Sequence, residues 1–76
     1  MIGINGHIIA ELTKTRSPFT VVFFEDPVDK YFVHVAKVQT KTGKIEDDSL
    51  IIRPDLDTWI RSYNRQNFFI QSSNLQ

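Results

Sequence analysis

The pattern of apolar and polar positions changes its period once along the chain. From Gly6 to Arg53 apolar residues alternate with their neighbours or fill short runs, whereas Leu56, Trp59, Ile60 and Tyr63 recur at i, i+3, i+4 and i+7. The first spacing belongs to pleated strands and the second to one stripe of a 3.6-residue helix. Four strands followed by a helix are expected. The first lies within Gly6 to Lys14, with Ile8, Ala10 and Leu12 on one face and His7, Ile9, Glu11 and Thr13 on the other. The second, Phe19 to Glu25, sets Phe19, Val21 and Phe23 against Thr20, Val22 and Phe24. In the third, Lys30 to Gln39, Tyr31, Val33 and Val35 oppose Phe32, His34, Ala36 and Val38. The fourth runs from Ile45 or Glu46 to Arg53, with Leu50 and Ile52 opposite Ser49 and Ile51 and an acidic start facing solvent.

The connections carry turn chemistry. Pro18 ends the polar stretch from Lys14, because a proline cannot donate within a sheet. Pro27 suits the second position of a turn between Asp26 and Asp29, and Gly43 supplies the positive φ of a hairpin loop. Pro54 suits a first helical turn, with Asp55 and Asp57 at the positive end of the helix and Arg61 and Arg65 toward the negative end. Asn64, Gln66 and Asn67 break the apolar stripe, which ends the helix near residues 65–67. Phe68, Phe69 and Ile70 then form either a last edge strand, extending to Gln71, or a tail folded over the core.

The fold class expected is α+β: an antiparallel meander of four strands, or five with that last one, followed by a C-terminal helix on one face (ββββα). The chain reads as a single domain over residues 1–76, with a loose start around Gly3 to Gly6 and a frayed tail over about 71–76. One tension remains in this plan. The second and third strands are apolar on both faces, while a helix of about 12 residues is only ~18 Å long and covers one. Either the sheet curls over its own second face, or two protomers press those faces together; a homodimer is the expected assembly.

Composition narrows the chemistry. The chain has no cysteine, hence no disulfide, thiolate nucleophile or cysteine zinc site. Its longest apolar runs are about four residues, too short to span a membrane, and the reading is cytoplasmic. His7 and His34 lie on different strands, and neither has a second ligand at i+2 or i+4 that a strand would bring alongside, so no metal site is read, and His34 is expected as a hydrogen-bonded sheet residue. Glu46, Asp47 and Asp48 follow one another directly, which points alternate carboxylates to opposite faces, and they are read as a solvated edge. There is no GxSxG elbow and no phosphate-cradling glycine loop. No catalytic residue and no cofactor are expected, and the chain is read as a non-enzyme.

Nine Lys and Arg balance nine Asp and Glu, which removes the simplest electrostatic case for a polyanion partner. The function expected first is an interaction module docking on another macromolecule, a protein, in a regulatory, accessory or phage-type inhibitory role. Its candidate surface is Phe19, Phe23, Tyr31, Phe68 and Phe69. The alternative is a single-stranded DNA or RNA binder, with bases stacked on sheet aromatics and phosphates tracked by Lys14, Arg16, Lys37, Lys41 and Lys44.

Overall fold

The computed structural model describes residues 6–73, without the side chains of 72 and 73. The start at residues 1–5 and the last three residues of the expected tail lie outside the described residues. Strands β1 (Ile8–Thr13), β2 (Phe19–Glu25), β3 (Phe32–Gln39) and β4 (Ile45–Ile52) are followed by a 3-10 turn (Arg53–Asp55), helix α1 (Leu56–Arg65) and strand β5 (Phe69–Ser73). The α+β meander with a helix is what the hydrophobic pattern predicts, with the fifth strand present. Residues 71–73 belong to the sheet rather than to a frayed tail, because β5 adds antiparallel to β1, with Ser72 and Ser73 paired, and completes the order β4-β3-β2-β1-β5.

Antiparallel pairing throughout makes β4 and β5 run in the same direction at opposite edges. Helix α1 is therefore the crossover that carries the chain from one edge of the sheet to the other. Pro54 sits in the 3-10 turn that opens it, and Asp57 pairs with Arg61 one turn on at 2.8 Å. The helix ends where Asn67 takes φ 68° and the amide of Phe68 reaches back to the carbonyl of Tyr63 at 3.0 Å. That is the closing bond of a left-handed helix cap, in which asparagine is tolerated.

Beneath the helix stripe lie Leu12, Val21, Phe23, Val33, Val35 and Ile51, all buried, with Leu56 and Ile60 seated on them. Trp59 and Tyr63 are only half-buried and pack at the margin of this core. The opposite face holds a second cluster of Val22, Phe24, Ala36 and Val38, each no more than 3% exposed, with half-buried Ile8 and Ile45 packed against it. A single chain thus keeps both faces dry over the second and third strands, and no second protomer is needed to bury these residues.

Three register shifts contribute to that shape. Ile9 is the extra residue against β2, Gln71 against β1 and Glu46 against β3. Such shifts bend a strand and increase its twist. The shift at Ile9 also corrects the strict alternation expected of β1. Ile9 joins Ala10 and Leu12 in the helix-side core, while Ile8 passes to the other face opposite Phe24.

Gly6 enters this edge without room for a side chain, since a Cβ there would overlap the carbonyl of Glu25. The next residue, His7, accepts the Glu25 amide at 2.8 Å.

The meander sorts its connections to two ends. The turn at 14–18, the loop at 40–44 and the turn at 66–68 share one end, where the Thr40 amide reaches the Pro18 carbonyl at 3.0 Å. The turn at 26–31 and the 3-10 turn share the other, where the Arg53 guanidinium binds the Glu25 carboxylate and the Lys30 carbonyl.

Candidate functional site

The shared end of the first three connections is basic. Lys14, Arg16, Lys41 and Lys44 lie in these connections, and Arg65 in the last helical turn adjoins them, all five exposed. No Asp or Glu lies in those connections, and the one adjoining acid, exposed Glu46 at the start of β4, borders the same end, hydrogen-bonded to Gln39 at 2.7 Å. The opposite end holds Asp26, Asp29 and Asp55 with Glu25 and Asp57 adjoining, against Lys30 and Arg53. A chain with a formal net charge of +0 is therefore polarised along its strands.

Four of the five basic residues singled out in the sequence meet at this end. The fifth, Lys37, lies on the helix-side face of β3 with its ammonium 5.3 Å from the centre of the Phe19 ring. Lys14 is placed likewise over Phe68 at 5.7 Å, and Phe19 and Phe68 stack on each other with centroids 5.5 Å apart. The result is a row of cation, ring, ring and cation. Both lysines thus gain from ring faces that have left bulk water.

The aromatic candidates divide sharply. Phe23 is completely buried under α1, edge-on to Tyr63, and Phe68 is 4% exposed. Both are core, because each falls on the face that the helix covers, and they leave the candidate surface. Phe19 is half-buried in the stack just described. Tyr31 is half exposed, but it sits at the acidic end against Phe32. Phe69 is 60% exposed and lies at the basic end, on β5, an edge strand of the sheet among the described residues, beside half-exposed Ile70. An open hollow of about 480 Å³ there is lined by Thr13, Lys14, Thr15, Asn67 and Phe69. Leu50, on the other edge strand and also exposed, was not singled out in the sequence. It stands across from His34 on the face that the helix does not cover, at the edge of the sheet.

Among the described residues a tightly organised polar group lies elsewhere, on the open face. His34 stacks flat on Phe24 with centroids 4.7 Å apart. Its Nε2 lies 2.8 Å from Asp26 and its Nδ1 3.1 Å from Asp48. The register explains the arrangement. Phe24 and Leu50 stand directly across from His34, which leaves the two aspartates on opposite diagonals. Asp26 also accepts the amides of Val28 and Asp29, so one carboxylate both forms the turn and holds the ring.

Partial burial opposes a charged imidazole, but the hydrogen bonds and charges of Asp26 and Asp48 outweigh it and raise the His34 pKa above its usual value. The His34 bond and the two turn amides hold Asp26 below the ordinary carboxylate range. With each ring nitrogen facing a different carboxylate, His34 is a cross-strand tie, as expected of a hydrogen-bonded sheet residue. On the other face, burial and then the charge of Asp47 push the Tyr63 hydroxyl upward. Among the described residues no group of three His, Asp or Glu side chains is placed to hold a metal ion, and no helix is long and apolar enough to cross a membrane.

Compared with protein families, curated proteins and solved structures, the chain has no significant match in any of the three.

Proposed function

We propose that this chain is a non-enzymatic interaction module that docks on another protein in a regulatory, accessory or inhibitory role. One observation carries the reading: Phe69 and Ile70 are exposed on β5, a strand with a neighbour on one side only among the described residues. An open edge offers unpaired backbone groups to an incoming strand, and exposed side chains beside it supply apolar contact. A partner that pairs with β5 gains both.

Self-association through the second sheet face is not part of the proposal, since Val22, Phe24, Ala36 and Val38 are already buried within one chain. Single-stranded nucleic acid is the second reading, and the basic end is the observation in its favour. Against it, a stacking platform needs successive free rings, and Phe19, Phe23 and Phe68 are held in or against the core.

The test is affinity capture from the native host with the wild-type chain and two variants. Ile70→Asp is expected to lose the captured protein, while Val28→Asp, altered at a fully solvated turn position of the opposite end, keeps it. Capture indifferent to Ile70→Asp would overturn the reading.

A further inference from the structure

The two edges of the sheet differ in charge. β4 carries Glu46, Asp47 and Asp48, all exposed, whereas the described side chains of β5, Phe69, Ile70 and Gln71, are uncharged. The basic end begins where β5 begins, since Phe69 pairs with Thr13 and the next residue is Lys14. Three strand spacings of ~4.8 Å separate β5 from β3, and the Lys41–Lys44 loop, so about five extended residues would cross that end.

We propose that the docking partner presents an extended acidic segment, which adds to the β5 edge, sets an apolar side chain against Phe69 and continues across Lys14, Arg16, Lys41 and Lys44. The inference rests on the protein-docking reading above and adds the chemistry of the partner. Charge complementarity selects acidic residues. Four cations grouped at one end attract them at a range comparable with the Debye length of ~8 Å at physiological ionic strength. The edge selects a polypeptide, since only a peptide backbone can continue the ladder. A single free ring at this end serves one apolar anchor better than it serves a run of stacked bases. A second copy of the chain lacks the fit through β5 itself, which brings no acidic side chain among its described ones.

The test uses the full chain, immobilised, to select from a phage-displayed library of random dodecapeptides, with a labelled oligo-dT strand measured in parallel by fluorescence anisotropy. The inference expects enrichment of peptides rich in Asp and Glu with an aromatic or aliphatic anchor. Their affinity should fall with added salt, by at least about tenfold in Lys41→Glu/Lys44→Glu, and be lost in Phe69→Asp. The two lysines are exposed loop residues, and unchanged melting of the double variant confirms its fold. Enrichment of neutral or basic peptides that still require Phe69 would overturn the acidic partner and leave the docking reading standing. Oligo-dT binding that the lysine variant abolishes, with no peptide enriched, would overturn both in favour of nucleic acid. No enrichment and no oligo-dT binding would overturn both as well.

Discussion

On the helix side of the sheet, Leu12, Val21, Phe23, Val33 and Val35 are sealed by Leu56 and Ile60, while on the other side Val22, Phe24, Ala36 and Val38 have no helix over them. Both groups are dry. The first is closed by a second layer of secondary structure, so its stability rests on apolar burial, which protonation does not touch. The second is small, rimmed by Ile8 and Ile45, and bordered by the imidazole of His34 stacked on Phe24 between two aspartates. Part of its closure is therefore ionic. Layering makes one face robust, and a titratable tie makes the other responsive to pH.

The largest expected difference is between core and margin on the helix side. Phe23→Ala, at 0% exposure, should cost ~3–5 kcal/mol, comparable with the whole stability of a domain this small, and should abolish a cooperative melt. Trp59→Ala should cost roughly half as much, because the indole is only half-buried at the edge of that core. A Trp59 variant as damaged as the Phe23 variant in a urea titration would contradict the difference.

The open face should show itself in pH. The folded His34 pKa lies above its ordinary value of 6.5. Its contribution is thus complete below that value and lost as pH rises through the raised one. Asp26 lies below its ordinary 3.8, so its contribution is present above 3.8 and lost as pH falls through the lowered value. Between the two values the tie is intact. Both aspartates and the ring are partly solvated, so the change with pH is expected to be small beside the loss in Phe23→Ala. His34→Gln should remove the alkaline loss from urea melts taken across pH, whereas Phe23→Leu should keep it. An alkaline loss that survives in His34→Gln would separate it from this group.

Smaller effects probe the connections. Arg16 takes φ 66° in the turn after β1, a region that costs a side chain roughly 1 kcal/mol. Arg16→Gly should then raise the stability read from urea titration slightly, by under ~1 kcal/mol, despite the entropy glycine brings to the unfolded chain. Asp57→Ala should cost only ~0.3 kcal/mol, since the pair with Arg61 is largely solvated.

The elements were legible because their periods are clean: the stripe Leu56, Trp59, Ile60, Tyr63 and the turns at Pro27 and Gly43 lie where the pattern puts them. Register was not legible. The extra residue at Ile9 reverses which isoleucine of β1 faces the helix, and nothing in the alternation Ile8 to Leu12 signals it. The same limit hid the Asp26–His34–Asp48 group, whose members lie eight and fourteen residues apart and meet only once two strand pairings are aligned. The basic end is different, since it was implicit in the meander. Alternate connections of an up-and-down sheet share an end, so Lys14 and Arg16 in the first and Lys41 and Lys44 in the third had to converge. Phe23 left the candidate surface for a related reason: an aromatic-rich strand has two apolar faces, and periodicity does not say which one a ten-residue helix covers; Phe68 left it because the cap that ends α1, not a strand, turns it into the core.

The central claim is that one chain closes both faces of its own sheet. Thermal melting of the wild-type chain over a wide range of protein concentration tests it most directly. The account predicts a single cooperative transition whose Tm does not move with concentration. A Tm that climbs steadily as the protein is concentrated would show that a second copy completes the fold, and would contradict it.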